Sequence, residues 1–197
     1  MRILVIGAHG TIGREIVKAL SSGHEVIAAS RSNADVAVDI RDVASLRAMF
    51  EKVGRVDAIV SAAGSGAWKP LDQLTDDDFA ISLGYKLMGQ VNVIRYGFAH
   101  VNDGGSITTT SGILSRSPMT GSAAISLVNA GLEGFTRAAA LEAPRDIRVN
   151  VVSPPWVTET LIEMGATDLS HGLPAAEVAK AYVRSVTGNE TGRVIEP

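Results

Sequence analysis

Near its amino end the chain sets four apolar residues, Ile3-Leu4-Val5-Ile6, directly against a glycine string, Gly7-Ala8-His9-Gly10-Thr11-Ile12-Gly13. A continuous apolar run of this length reads as a strand buried on both faces. From Thr11 to Ser22, Ile12, Ile16, Val17 and Leu20 share one helical face, and Gly23 supplies a stop. Strand, tight glycine turn and helix in this order leave little freedom. The helix crosses back over the sheet, and the next strand runs parallel to the first.

The same alternation continues along the chain. Val26–Ala29 and Val36–Val38 read as the second and third strands. Asp42 can cap a helix whose Val43, Leu46, Phe50 and Val53 share a face, and Gly54 ends it. Ala58–Val60 is a fourth strand, running into the small-residue loop Ser61-Ala62-Ala63-Gly64-Ser65-Gly66. Thr75 followed by Asp76-Asp77-Asp78 is a cap and an acidic first turn, so these acids mark a helix start before a metal site. That helix is predicted to reach about Tyr96. Gly105–Thr109, Arg148–Val152 and Val194-Ile195 complete seven strands. Between them lie helices predicted over Ser122–Ala143 and from Pro174 to about Val186, with a loop from Thr158 to Leu173. The pattern predicts an α/β fold of Rossmann type: one doubly wound parallel sheet in three layers, strand order 3-2-1-4-5-6-7.

A length of 197 residues fits a single domain spanning the whole chain. With no cysteine there is no disulfide framework, thiol nucleophile or cysteine-type zinc site, and no metal is expected. A net charge of −3 argues against a non-specific nucleic-acid binder, which needs a basic face. The uncharged stretch from Ser117 to Leu132 carries Ser, Thr, Asn, Gly and Pro, so no membrane span is expected there. The amino end lacks the features of a signal peptide. The expectation is a soluble, cytoplasmic protein.

Glycines between a strand and a helix let the backbone approach a pyrophosphate, whose charge the helix amino end stabilises. Gly7, Gly10 and Gly13 are the candidates for that turn, and His9 for a loop contact to phosphate or solvent. The second strand ends at Ser30-Arg31-Ser32, where an NAD site usually carries an acid for the ribose hydroxyls. Serine and arginine can instead bind a 2′-phosphate by charge-assisted hydrogen bonds. NADP is therefore expected over NAD. Asp39 could accept from an adenine amino group or serve as a turn residue.

In this order these elements resemble the short-chain dehydrogenase/reductase family over nearly the whole chain. The likeness includes the glycine turn, Asp39, Ser61-Ala62-Ala63-Gly64, and Gly105-Ser106-Ile107 through Ser111-Gly112. It continues with Leu132–Glu142, resembling the middle of the family's active-site helix, with Ile147–Thr158, and with Thr191–Ile195. The resemblance implies hydride transfer between a nicotinamide dinucleotide and a small carbonyl or alcohol. It extends the cofactor contacts to Thr11, Ile12, Ala62, Ala63, Gly64, Asn129, Pro154 and Val157. It also implies a homodimer or homotetramer built on the two long helices.

The departures fall at the chemistry. The family's Tyr-x-x-x-Lys motif aligns with Ile125 and Asn129, and no tyrosine lies between Tyr96 and Tyr182. The family's catalytic Asn aligns with Lys86. Its Ser aligns with Ser111, or with Gly112 by strict spacing. Pro155 replaces the glycine of a Pro-Gly pair. Ser111 and Lys86 are thus the candidate catalytic pair, serine binding a developing oxyanion and lysine donating the proton. Lys86 could instead hold the cofactor ribose, or be a solvated helix lysine. A second class of function stays open, that of a dinucleotide-binding sensor or partner protein without turnover. His171, in the presumed lid, and Trp68 and Trp156, as core or pocket walls, carry less.

Overall fold

The computed structural model describes all 197 residues. Seven strands form one parallel sheet in the order β3-β2-β1-β4-β5-β6-β7, as the alternation predicts. They are β1 (Arg2–Ile6), β2 (Glu25–Ser30), β3 (Val36–Ala37), β4 (Val56–Ser61), β5 (Val101–Thr110), β6 (Arg148–Val152) and β7 (Val194–Ile195). Between β1 and β2 lies α1 (Thr11–Ser21), and between β3 and β4 lies α2 (Val43–Val53). Side chains alternate across β1, so its two faces feed two cores. Leu4 and Ile6 pack with Leu46 and Phe50 of α2. Ile3 and Val5 pack on the other face with Ile16 and Leu20 of α1.

Ile3 pairs with Val26 of β2 on one side and Ala58 of β4 on the other. The chain leaves β1 in opposite directions toward these two neighbours. The carboxyl ends of β1 and β4 therefore border a crevice that no crossover helix covers.

Caps follow the residues read from the sequence. The Asp42 side chain accepts from the Ala44 N–H, and Gly54 closes α2 at φ 71°. Thr75 and Asp78 form a reciprocal capping box at the start of α3 (Asp76–Ser82), so the acidic run is a helix start.

Two elements differ from the sequence reading. The helix beginning at Asp76 is not uniform: α3 passes into a π-helical segment, Leu83–Met88, and only then into α4 (Gly89–Gly97). The Gly89 N–H bonds the Gly84 carbonyl, five residues back. Periodicity of apolar residues does not register one wide turn inside an otherwise continuous helix. The segment after β6 is also more than a loop. It carries the short helix α6 (Thr158–Glu163), and a parallel bridge between Val157 and Leu173 closes its base. Helix α5 (Ala123–Glu142) and helix α7 (Ala175–Thr187) agree with their predicted spans, with Pro174 as the cap of α7. No helix is long and apolar enough to cross a membrane.

Candidate functional site

The crevice at the switch point has a volume of about 330 Å³. Its floor is the glycine turn. Gly7 sits at φ +82°, and a Cβ there would lie 2.9 Å from the backbone of Ala62 and Ala63. A Cβ on Gly13 would stand 1.9 Å from the Gly7 carbonyl oxygen. Both positions therefore need glycine for steric reasons, one against the β4 loop and one against the turn itself. Gly10 caps α1 without a side-chain hydrogen bond. The first N–H groups of α1 are left for an anion. Gly7, Gly10, Thr11 and Ile12 line the crevice on this side, and Ala62, Ala63 and Gly64 line it opposite.

Ser30 and Arg31 line its outer end, where the sequence predicts the phosphate-reading residues. Arg31 also stands over the ring of Tyr85, 5.9 Å from its centre, and Arg41 reaches the same ring at 5.5 Å. Asp39 is turned away onto Arg41, whose Nε lies 3.0 Å from both carboxylate oxygens. That guanidinium holds the Asp39 carboxyl below the usual range. His9 does not line the crevice; its Nδ1 lies 3.2 Å from the Ser32 carbonyl, tying the glycine turn to the loop after β2.

Beyond Gly64 lies a cluster of buried side chains, Lys86, Ser111, Asn129 and Glu133, none of which lines the crevice itself. Lys86, in the π segment, is 8% exposed and lies against Gly64, where a Cβ would approach its Cδ to 3.2 Å. Its Nζ donates to the Ser111 carbonyl at 3.2 Å, and no carboxylate pairs with it. Burial pushes its pKa down to about 8. The structure thus excludes the solvated helix lysine.

Ser111 meets Lys86 through its backbone only. Its hydroxyl donates to Glu133 Oε1 at 2.7 Å. Ser115 and Ser153 donate to the same oxygen at 2.7 and 3.1 Å. The Ser111 hydroxyl, expected to bind an oxyanion, is engaged here by the Glu133 side chain on α5.

Asn129 is buried at 2% exposure. Its amide nitrogen lies 3.5 Å from the Gly112 carbonyl, and its Oδ1 has no partner. Ile125 packs toward Gly66, whose Cβ would stand 3.4 Å from the Ile125 Cβ. Tyr182 does not replace the absent tyrosine. It is wholly buried in the core formed with α1, and its hydroxyl pairs with Thr110 Oγ1 at 2.8 Å. Burial pushes its pKa up.

Pro154 accepts from the Ile113 N–H at 2.9 Å, and Val157 is buried at the base of the α6 segment. Neither lines the crevice, nor does Asn129. His171 is exposed, and Trp68 packs edge-on to Trp156 with centroids 5.6 Å apart. The sequence reading missed Tyr85 and Thr160, which line the crevice, and Glu133. Glu133 had one signal: an acid four residues after Asn129, on the inward face of a small-residue helix.

These residues fit a dinucleotide. Gly7 and Gly10 line the crevice with bare backbone, and the α1 amino end has spare donors with no side-chain cap. A parallel sheet opening at its switch point onto such a turn defines a nucleotide-binding protein of Rossmann type. The family pattern described as enoyl-(acyl carrier protein) reductase matches residues 8–196, and the chain belongs to that family of short-chain dehydrogenases/reductases. It has the family's fold without its Tyr-x-x-x-Lys motif.

The crystal structure of the protein lin1944 from Listeria innocua superimposes with a TM-score of 0.96 at 41% identity, covering 100% of this chain and 98% of that one. A small-chain dehydrogenase in complex with NADPH gives 0.90 at 28% identity, covering 100% and 96%. A hydroxynaphthalene reductase of Aspergillus fumigatus is 29% identical over 73% of this chain and 52% of its own length. An oxidoreductase of Methylorubrum extorquens is 29% identical over 78% and 72%. The chain spans about half to two thirds of the length of the reductases it matches.

Proposed function

We propose that the protein is an NADP(H)-dependent oxidoreductase that interconverts a small carbonyl and its alcohol, with Lys86 as the proton-carrying group. The observation that carries this is the buried Lys86 ammonium, without a counter-ion, held between Gly64 and the Ser111 carbonyl. The family relationship and the NADPH complex of a similar dehydrogenase support the cofactor.

When bound, the dinucleotide supplies or accepts the hydride. The α1 amino end and the glycine turn would hold its pyrophosphate, and Ser30 and Arg31 its 2′-phosphate. Lys86 would give a proton to the carbonyl oxygen in reduction and take it back in oxidation. A value near 8 keeps both of its protonation states accessible around neutral pH, as a general acid–base group needs. Ser111 would act through its carbonyl, which fixes the ammonium.

A second reading, a protein that binds NADP(H) without turnover, is favoured by one observation: the Ser111 hydroxyl is engaged by Glu133. The experiment measures NADPH binding by fluorescence and NADPH oxidation across a panel of small aldehydes and ketones. Wild type is expected to bind and to turn over. Lys86→Met is expected to lose about 10²–10⁴-fold in rate while keeping binding. Loss of binding instead would make Lys86 a ribose-holding group. Tight binding with no turnover by wild type would favour the second reading.

We also propose that the chain assembles as a homodimer or homotetramer through the two long helical runs, the one from Asp76 through the π segment to α4, and α5. The outer face of α5 exposes Leu127, Ala130, Gly131, Gly134, Ala138 and Leu141, small enough for close helix approach and apolar enough to reward it. A monomer by light scattering would remove this proposal.

A further inference from the structure

We propose that Gln90 is a positioning residue that holds Lys86 on the Ser111 carbonyl. The inference rests on the reading of Lys86 given above and extends it to the device that aims the side chain.

Gln90 lies one turn beyond Lys86, just past the π segment, and is completely buried. Its amide is fully used across the gap between helix and sheet. The Nε2 donates to the Lys86 carbonyl at 3.1 Å and to the Thr110 carbonyl at 2.8 Å. The Oε1 accepts from the Thr110 N–H at 2.8 Å. Thr110 is the last residue of β5, and the next residue, Ser111, presents the carbonyl that Lys86 Nζ meets. One side chain therefore ties the backbone of the donor residue to the backbone beside its acceptor.

The π segment explains why such a tie is needed. A π turn departs from the regular i→i−4 ladder where it occurs, as the bond from the Gly89 N–H to the Gly84 carbonyl shows. A buried amide in that position is costly unless every polar atom is paired, and here Gln90 supplies a side-chain partner to the Lys86 carbonyl. Without the tie, the Lys86 backbone could drift from β5, and a displacement of about 1 Å at a reacting group can cost about 10²-fold in rate. Gln90 is adapted to this link by shape. It is long enough to reach β5, flat enough to pair with both Thr110 groups, and has a second N–H for Lys86.

The test compares Gln90→Met, which keeps length and loses all three bonds, with Gln90→Glu, which keeps the Oε1 acceptor in place of the amide. Leu20→Ala, in the core beneath α1 on the opposite face of the sheet from α4, is the control for general destabilisation. If Gln90→Met does not fold, Gln90→Glu carries the comparison.

The first readout needs no turnover: site-resolved amine acylation of the cofactor-free protein by mass spectrometry, with exposed Lys18 and Lys180 as internal standards. The expected result is that Lys86 labels about tenfold or more faster in the Gln90 variants, and stays slow in Leu20→Ala at a matched loss of Tm. Equal labelling of Lys86 in wild type and the Gln90 variants, or an equal rise in the control, would overturn the proposal.

The second readout is kinetic. Gln90→Met is expected to lower kcat by about 10- to 100-fold, to leave NADPH binding within about twofold, and to add nothing further in a Lys86→Met background. Additive losses would overturn the positioning role. If wild type shows no turnover, the enzymatic reading fails while the labelling result still decides the role of Gln90.

Discussion

The two ends of the site are built from different materials. At the glycine turn the working groups are backbone: N–H donors of α1, a carbonyl packed against Gly13, and a loop that admits no Cβ at Gly7. Beyond Gly64 the working groups are side chains: the Lys86 amine, the Asn129 amide, and three serine hydroxyls converging on Glu133. Backbone geometry constrains residue type almost completely, since only glycine fits. A side-chain site needs only some group with the right proton in reach, so its members can be exchanged as a set. This explains how the chain keeps the glycine turn of its family while its sequence contains no Tyr-x-x-x-Lys.

The sharpest way to break that contrast is at Gly13. Gly13→Val places branched carbon where even a Cβ stands 1.9 Å from the Gly7 carbonyl. Loss of dinucleotide binding is expected, with a stability loss of about 3 kcal/mol or more by chemical denaturation. Retained binding would mean that the turn tolerates far more than its geometry implies.

Lys86 makes the opposite prediction, because it is a functional charge that the fold bears at a cost. Its pKa falls from 10.5 to about 8 on folding. Below pH 8 the folded protein carries the buried ammonium at full cost. Between pH 8 and 10.5 the folded state has released that proton while the unfolded chain keeps it, so this contribution to stability rises with pH. Cofactor-free Lys86→Met is therefore expected to be more stable than wild type at pH 7, by about 2–4 kcal/mol. The advantage should shrink through that window and vanish near pH 10.5, as thermal unfolding across pH would reveal. An advantage independent of pH would point to packing rather than charge.

Arg31→Ala probes the side-chain part of the cofactor end. One charge-assisted phosphate contact is worth about 1.5–3 kcal/mol, so NADPH affinity should fall about ten- to a hundredfold. NADH affinity should hold nearly constant. Equal losses for the two, by titration calorimetry, would remove the 2′-phosphate reading.

The smallest effect is expected from Ser111→Ala. Glu133 keeps the Ser115 and Ser153 hydroxyls, so the stability cost should be about 1–2 kcal/mol. Turnover should stay within about threefold of wild type, because the carbonyl that Lys86 meets is unchanged. A large loss of rate would restore the hydroxyl to the chemistry.

The sequence alone determined the sheet and its glycine turn. A four-residue apolar run can be buried on both faces in only a few ways, and glycines at positions 7, 10 and 13 between strand and helix mark a place where Cβ atoms do not fit. Strand order, caps at Asp42 and Thr75, and the placement of Ser30 and Arg31 at the crevice follow from such local rules. Only the tertiary structure decided the other end. Ser111 and Glu133 are 22 residues apart, and Lys86 and Ser111 are 25 apart. Which hydroxyl meets which carboxylate depends on the angle at which α5 packs on β5 and β6. The π segment, which places Tyr85 in the crevice and Lys86 in the interior at successive positions, leaves no mark in apolar periodicity. Local pattern records which backbone conformations are possible; the direction in which a buried proton points is set by the neighbours that folding brings to it.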